Sequence, residues 1–259
     1  MITKRVEFEN NRNEKLAGIL RIPDSRGDEK EKFPAIIFCH TFHDTKDHEF
    51  IISMWDSLSR QGFICLRFDL SGHGESQGDY RNMTITQDVK DLKAAFEFVR
   101  NLEQVDKKRI GMIGHSTGGI DAILLSADHK EIKSIAVIST RADIKAFIES
   151  YMDKYRQEEW RRIGRAEFYG FDEVSSDFLM DAERYEMFEE IKKVKCPIMI
   201  VHGTEDARVP FEDARELFNH ANEPKRLELI EGADHRFSEP AHRQELLDTL
   251  GEWFSATLR

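Results

Sequence analysis

A serine flanked by glycines, directly after an apolar run, constrains this chain more than any other feature. Residues 109–119 read RIGMIGHSTGG, with Ser116 at the centre of a Gly-x-Ser-x-Gly pattern. A serine of this kind sits on a tight strand-to-helix turn, in a strained backbone conformation where flanking side chains would collide with neighbouring backbone. Gly114 and Gly118 leave the space that this turn needs. The pattern alone also fits a harmless turn, so its interpretation depends on the rest of the chain.

Apolar runs and helical patterns alternate along most of the chain. Residues 34–40 form a continuous apolar run, typical of a strand that is covered on both faces. Residues 3–9 and 16–22 alternate polar and apolar side chains, which predicts an antiparallel hairpin at the edge of a sheet. Further strands are predicted at 63–69, 109–114, 132–139, 197–202 and 226–230, and helices at 50–58, 85–102, 211–221 and 240–258. The alternation predicts the α/β class, with a mostly parallel central sheet and helices on both faces.

Residues 141–195 interrupt this alternation. The segment is too long for one crossover and contains no convincing apolar strand, so we expect an inserted helical cap on a core formed by residues 1–140 and 196–259. Aromatic residues are concentrated in the cap segment: Tyr151, Tyr155, Trp160, Phe168, Tyr169, Phe171, Phe178, Tyr185 and Phe188. Most are expected to pack the cap onto the core, and two or three to line an apolar pocket above Ser116.

Ser116 needs a histidine base, because a serine hydroxyl is a poor nucleophile at neutral pH. The chain order expected after such a turn is serine, acid, histidine. Four histidines follow at sufficient distance: His129, His202, His220 and His235. Of the four, only His235 lies in a loop directly after a predicted strand and has no more plausible structural role. Loops at the carboxyl ends of parallel strands are where such a sheet binds its ligands. We therefore predict His235 as the base.

The carboxylate that orients the base is predicted in the loop after the strand at 197–202. Asp206 has the spacing after the strand that this role requires. Glu205 and Asp234 are its competitors, and a solvated loop carboxylate is the alternative interpretation of all three.

Two backbone N–H groups are predicted to bind the oxyanion of the reaction. The Thr117 N–H is one, because the first N–H groups of a helix lack partners within it. The second should come from the loop after the run at 34–40, where we predict the Phe42 N–H, with Thr41 in reserve. A glycine-rich loop at 70–78 lacks the order of a nucleotide-binding motif, so a structural turn is favoured over a phosphate cradle.

Composition limits the partners. The formal charge of -11 argues against nucleic acid or an anionic membrane surface, which would require a basic face. Residues 1–9 contain no apolar targeting core, and no apolar stretch approaches the roughly 18 residues of a membrane span, so a cytoplasmic location is expected. Cys39, Cys65 and Cys196 lie in apolar runs without CxxC spacing, which favours buried thiols over disulfides or a metal site.

Several of these segments together resemble the serine esterases of the α/β-hydrolase fold, and more closely the bacterial cinnamoyl/feruloyl esterases. They are residues 40–42 (HTF), 69–76 (DLSGHGES), 81–84 (RNMT), 114–119 (GHSTGG), 202–210 (HGTEDARVP) and 232–237 (GADHRF). The resemblance implies that Ser116, Asp206 and His235 are the catalytic serine, acid and base. It also implies that Phe42 and Thr117 are the oxyanion donors and that no cofactor is required.

The resemblance implies hydrolysis of carboxylic esters through an acyl-enzyme. We expect a monomer or homodimer that acts on a small-molecule ester. Hydroxycinnamate esters rank first among the substrates, followed by short-chain acyl esters and monoacylglycerols. A peptidase or amidase, and a non-catalytic ligand-binding protein on the same fold, remain the alternatives. The chain departs from those esterases at Thr41, where they usually have glycine.

Overall fold

The structure is a computed structural model that describes residues 1–24, 31–168 and 171–258. Tyr169 and the side chain of Phe171, two of the predicted cap aromatics, lie outside this description. The strands are β1 (Ile2–Glu9), β2 (Lys15–Ile22), β3 (Phe33–Cys39), β4 (Ile64–Phe68), β5 (Val105–His115), β6 (Ser134–Ile138), β7 (Arg165–Phe168), β8 (Phe171–Ser175), β9 (Ile198–Gly203) and β10 (Lys225–Ile230). The helices are α1 (Glu49–Arg60), α2 (Ile85–Arg100), α3 (Thr117–Asp128), α4 (Ile144–Tyr151), α5 (Lys154–Ile163), α6 (Asp177–Ala182), α7 (Met187–Ile191), α8 (Phe211–His220) and α9 (Pro240–Leu258).

Within the described residues, eight strands form one sheet in the order β1-β2-β4-β3-β5-β6-β9-β10. The pairs β1/β2 and β2/β4 are antiparallel, and the other pairs are parallel. The predicted mostly parallel sheet and its edge hairpin are therefore confirmed. Since the carboxyl ends of parallel strands meet at one edge of the sheet, the loops after β3, β5, β9 and β10 converge there.

Helices cover both faces of the sheet, as predicted. On one face, α1 and α9 bury Phe50, Met54, Leu250 and Phe254 against the strands. On the other face, α2 and α3 contribute Leu92, Phe96, Ile123 and Leu125 to a second core that extends under the cap segment. The central strands β3, β4, β6 and β9 are buried along their whole length, which explains why their sequences are continuously apolar.

The cap segment, residues 141–195, contains α4 to α7. It is not wholly helical, although the sequence predicts a helical cap. Strands β7 and β8 form a short antiparallel hairpin, with Phe168 and Val174 buried. Strands of four and five residues are too short for a sequence alternation to stand out from the charged residues around them. The indole N–H of Trp160 donates to the Val174 carbonyl at 2.9 Å, which fastens the hairpin to α5.

The cap aromatics serve mainly for packing, as predicted. Trp160, Phe168 and Phe178 are buried and in mutual ring contact, with centroids 5.3 to 6.5 Å apart: Trp160 stacks on both phenylalanines, which are tilted against each other. Tyr155 does not follow the prediction, because its side chain points to solvent and is 75% exposed. In the described part of the chain, no helix combines the length and the apolar character required to cross a bilayer.

Candidate active site

Ser116 occupies the sharp turn that the sequence predicts. Strand β5 ends at His115, helix α3 begins at Thr117, and Ser116 between them has φ 55° and ψ -114°. A non-glycine residue with positive φ is strained and persists only where its surroundings hold it. Here the Ser116 N–H donates to the Ile138 carbonyl of β6 at 2.8 Å, which fixes the turn against the neighbouring strand.

The glycines around Ser116 allow backbone segments to approach each other closely. A Cβ atom on Gly114 would lie 2.1 Å from the Gly118 carbonyl oxygen. A Cβ atom on Gly118 would lie 2.5 Å from the carbonyl oxygens of both Cys39 and His40. The predicted collisions are confirmed, and the second pair shows that α3 is packed directly on the end of β3.

Gly118→Ala is expected to destabilise the fold by about 3 kcal/mol, because the added methyl group meets rigid backbone rather than a flexible side chain. The measurement is the free energy of unfolding from urea titrations. Ser126→Ala on the same helix is the control and should change this value by less than about 0.5 kcal/mol. An equally small effect of Gly118→Ala would contradict the close approach of α3 to β3.

His235 lies in the loop after β10, where it meets Asp206 from the loop after β9. The His235 Nδ1 atom is 2.7 Å from Asp206 Oδ2. Because a carboxylate accepts hydrogen bonds, Nδ1 carries the proton and Nε2 is left as the acceptor. The His235 side chain is 9% exposed and lines the same cavity as Ser116.

The Asp206 carboxylate is fully buried and has four hydrogen-bond donors around it. Its Oδ1 atom accepts from the N–H groups of Arg208 and Val209 at 2.8 and 2.9 Å. Its Oδ2 atom accepts from His235 and lies 3.2 Å from His202 Nε2. Burial alone would raise the pKa of Asp206, but the hydrogen bonds from His202, His235 and Val209 outweigh it and hold the pKa well below its usual range.

His202 takes the structural role predicted for it. It is completely buried at the end of β9, and its Nε2 atom also lies 3.0 Å from the Val209 carbonyl oxygen. Since the neighbours of Nε2 are acceptors, this nitrogen donates to the loop that carries Asp206 and keeps it closed.

The competing carboxylates do not approach His235. Asp234 accepts hydrogen bonds from the Arg236 and Ser238 N–H groups at 3.0 and 2.9 Å, which makes it a turn residue at the surface. Glu205 is exposed, and its N–H donates to the Ala233 carbonyl. Of the three carboxylates, the structure brings only Asp206 to the histidine.

The His235 loop, residues 231–238, is fastened to both neighbouring loops. His115 donates from Nε2 to the His235 carbonyl at 3.0 Å, and burial keeps the His115 pKa well below its ordinary value, so the ring is neutral. On the other side, Arg236 donates to Asp44 Oδ2 at 2.9 Å. His235 therefore lies between the serine turn and the loop after β3.

The two predicted oxyanion donors lie next to each other, but one of them has another acceptor. The Phe42 N–H donates to the Thr117 hydroxyl oxygen at 2.6 Å, and the Thr41 hydroxyl is 3.3 Å from the same oxygen. Thr117 is the first residue of α3, and the N–H groups of the first helical turn have no acceptor within the helix. The loop is positioned by His40, which lies between the Thr41 carbonyl and the Leu70 N–H and whose pKa burial lowers to about 3.

The glycine-rich loop at 70–78 is a structural turn, as favoured from its sequence. Asp91 accepts the Ser71 N–H at 2.8 Å, and Asp69 accepts the Glu75 N–H at 2.9 Å. Carboxylates on these amides repel a phosphate group. Asp69 also binds the buried Lys46 ammonium at 2.8 Å, which ties this loop to the one after β3.

The cavity at Ser116 is small and is closed by the cap segment. It has a volume of about 30 Å³. Its lining consists of five residues predicted for the site and five others: Thr41, Phe42, Ser116, Thr117 and His235, and Ile120, Arg141, Phe147, Arg208 and Val209. Phe147, on α4, and Arg141 are the lining residues that the cap segment contributes. The Arg141 guanidinium lies 5.2 Å from the Phe147 ring centroid, and one of its nitrogens donates to the Arg208 carbonyl.

A family comparison matches most of the chain. The model of the prolyl oligopeptidase family, a peptidase family, matches residues 49–259. The chain belongs to this family. The matched residues include Ser116, Asp206 and His235, and membership makes the chain a hydrolase of the α/β-hydrolase type.

Individual relatives of this prolyl oligopeptidase family member are distant in sequence. A 31.7 kDa protein from the traX-finO intergenic region of Escherichia coli is 24% identical, over 95% of this chain and 97% of its own. Mouse mitochondrial palmitoyl-protein thioesterase ABHD10 is 25% identical, over 86% of this chain and 76% of its own. The structure of Est1E from Butyrivibrio proteoclasticus with bound ferulic acid has a TM-score of 0.86 and 23% identity, with coverage of 97% and 98%.

Sequence reasoning missed the cap residue that closes the site of this family member. Phe147 is absent from the predicted cap aromatics, although Ile144, Phe147 and Ile148 have the spacing of one helical face. That pattern directly after β6, at the edge of the sheet where the loops converge, was the available signal. Phe178, which was predicted as a cap aromatic, lines a neighbouring cavity rather than that of Ser116.

Proposed function

We propose that this protein is a serine esterase that hydrolyses carboxylic esters through an acyl-enzyme on Ser116. One observation carries the proposal: the strained Ser116 and a histidine bonded to a buried carboxylate at 2.7 Å line the same cavity. This is the arrangement that activates a serine hydroxyl.

The reaction proceeds in two halves. Ser116 Oγ attacks the ester carbonyl carbon while its proton passes to His235 Nε2, and the Thr117 N–H binds the oxyanion that forms. The bond to the alcohol then breaks, and His235 returns the proton to the leaving oxygen. In the second half, His235 takes a proton from water, the resulting hydroxide attacks the acyl carbon, and Ser116 leaves with that proton.

The Phe42 N–H is the second donor, and it joins when the oxyanion forms. Its present acceptor is the neutral Thr117 hydroxyl. An oxyanion is a stronger acceptor than a hydroxyl oxygen, because hydrogen bonds to a charged group are shorter and about twice as strong. The hydroxyl of Thr117 therefore holds the donor in place until charge develops.

Hydroxycinnamate esters are the substrates that we rank first, with short-chain acyl esters next. The bound ferulic acid of Est1E and the name of the mouse thioesterase both concern acyl groups, which supports an acyl substrate here. The net charge of -11 supports a small ester over nucleic acid, and free buried thiols support the predicted cytoplasmic location.

The cap segment acts as a lid in this proposal. A cavity of about 30 Å³ is far smaller than the roughly 300–1,000 Å³ of a pocket that holds a drug-sized ligand, so an aromatic acyl group requires cap side chains to move. Phe147 lines both the Ser116 cavity and a second cavity beneath the cap. In this proposal, rotation of the Phe147 ring joins the two cavities.

Phe147→Ala is expected to raise kcat/KM for methyl ferulate about tenfold relative to p-nitrophenyl acetate, because it removes a steric cost of about 1.4 kcal/mol for the larger acyl group. The measurement is the ratio of the two rates. Phe188→Ala is the matched control, since Phe188 is a cap residue stacked on His220 away from the serine. A ratio that is unchanged in Phe147→Ala would exclude this ring as the barrier.

The function is tested by initial rates on methyl ferulate, p-nitrophenyl butyrate and a long-chain p-nitrophenyl ester, with the Ser116→Ala protein as blank. Turnover of butyrate without ferulate would keep the esterase mechanism and exclude the hydroxycinnamate preference. No turnover of any ester would overturn the proposal.

Peptide hydrolysis is the second candidate, because the family to which the chain belongs is a peptidase family. The same serine, histidine and carboxylate cleave amides. A panel of peptide p-nitroanilides separates the two functions: cleavage at rates above those of the esters would favour the peptidase.

A further inference from the structure

A second cavity lies behind the Ser116 cavity and ends at two buried carboxyl groups. It has a volume of about 10 Å³ and shares Thr117, Ile120 and Phe147 with the first cavity. Asp88 of α2 and Asp121 of α3 are its acidic side chains. The remainder of its wall is apolar: Met83, Ile85, Ile144 and Phe178.

Asp88 is a buried acidic residue with one oxygen that lacks a hydrogen-bond partner. Its side chain belongs to a residue that is only 4% exposed, and its Oδ1 atom has no hydrogen bond. Among the described residues that line this cavity there is no lysine, arginine or histidine to pair with it. A buried polar atom left unpaired costs free energy, and such groups usually have a role.

The neighbouring carboxyl group, that of Asp121, has a hydrogen-bond partner, whereas Asp88 Oδ1 has none. The Cys39 thiol lies 3.8 Å from Asp121 Oδ2 and donates to it. Burial, together with the charges of Asp121 and Asp91, raises the pKa of Asp88 well above its usual range. The buried position therefore favours the protonated form of Asp88, which has one O–H donor and acceptor capacity remaining.

We propose that Asp88 is a distal subsite that hydrogen-bonds a hydroxyl group at the far end of the acyl group; this inference rests on the esterase function proposed above. A hydroxyl both donates and accepts, which matches a neutral carboxyl group. The cavity that contains Asp88 shares Thr117 with the Ser116 cavity, and Asp121 lies four residues, or about 6 Å along the helix, beyond Thr117. An acyl group longer than acetyl is therefore required to reach the subsite.

The test compares esters that differ only by the distal hydroxyl. The ratio of kcat/KM for methyl 4-hydroxycinnamate to that for methyl cinnamate is measured, with methyl 6-hydroxyhexanoate and methyl hexanoate as an aliphatic pair. We expect a ratio of about tenfold or more in the wild-type protein for at least one pair, because the analogue without a hydroxyl leaves Asp88 unpaired. Ratios near one in both pairs would overturn the subsite.

Asp88→Leu should reduce the ratio to about one, and Asp88→Ala serves the same purpose if the leucine variant fails to fold. Ser126→Ala, which removes another buried and unpartnered group on α3, should leave the ratio unchanged. A ratio that survives both Asp88 substitutions would assign the hydroxyl preference to another residue and refute the proposal.

Binding separates failure of the subsite from failure of the proposed function. Dissociation constants of 4-hydroxycinnamate and cinnamate are measured by calorimetry on the Ser116→Ala protein, where turnover plays no part. A tenfold preference for the hydroxylated acid that Asp88→Leu abolishes supports the subsite even if no ester is hydrolysed. Equal binding of the two acids refutes it even if the wild-type protein is an esterase.

Discussion

Ser116→Ala is expected to lower kcat for every ester that the protein hydrolyses by about 10⁶-fold, the cost of removing the nucleophile from a working serine, histidine and acid unit. The residual rate should come from oxyanion binding and substrate positioning alone. The measurement is the steady-state rate on p-nitrophenyl butyrate at saturating substrate.

A serine elsewhere on α3 provides the control for this loss. Ser126 is buried without a hydrogen-bond partner, and Ser126→Ala should keep kcat within about twofold. A fluorophosphonate probe should label the wild-type protein and not the Ser116→Ala protein. Retention of more than about 1% of the activity by Ser116→Ala would show that another group is the nucleophile. An enzyme of this kind keeps far less than about 1% of its activity when its nucleophile is removed.

Asp206→Asn is expected to lower kcat about 10⁴-fold while leaving the pocket in place. The carboxylate accepts from His235 Nδ1 at 2.7 Å and so keeps the proton on that nitrogen. An asparagine can present its N–H₂ group instead, which places the proton on Nε2, where the base must be free. The measurement is kcat on the same ester, with circular dichroism to confirm the fold.

Asp234→Asn is the matched control, because Asp234 is the neighbouring carboxylate that only holds a surface turn. It should keep kcat within about threefold. An independent readout is stability against pH. Since the pKa of Asp206 is depressed by folding, its ionised form stabilises the wild-type fold above about pH 4, and this stabilisation is lost as the pH falls below about 4. Equal acid dependence in Asp206→Asn would contradict the burial and bonding of this carboxylate.

The sheet could be predicted because a parallel strand covered on both faces must be apolar throughout. Strand β3 (Phe33–Cys39) is such a run, and the structure places it within one residue of the prediction. The hairpin of β7 and β8 could not be predicted in the same way. Its strands have four and five residues and owe their form to packing around Trp160, which no local pattern reveals.

The loops that carry Ser116, Asp206 and His235 could be predicted because each directly follows a strand of one parallel sheet. Their catalytic roles stay a prediction that the substitutions above test. The contact of the Phe42 N–H with the Thr117 hydroxyl joins residues 75 positions apart and depends on one side-chain rotamer, so no sequence pattern announces it.

Asp88 illustrates a different limit of sequence reasoning. In α2 the polar residues Gln87, Asp88 and Asp91 have the spacing of a solvated helix face, yet all three are buried. Gln87 and Asp91 bond to each other at 2.7 Å, whereas Asp88 Oδ1 has no partner. Periodicity reports the average polarity of a face and cannot tell which polar group lies at the wall of a cavity.

The ion pair between Arg236 and Asp44 limits how the loops of this protein can be exchanged with those of relatives. The Asp44 side chain is only 7% exposed, so a His235 loop grafted without a cation at position 236 would leave a nearly buried carboxylate without its Arg236 partner. The two positions are 192 residues apart in the chain. They must nevertheless change together, and a chimaera that transfers residues 231–238 must carry a matching change in the loop after β3.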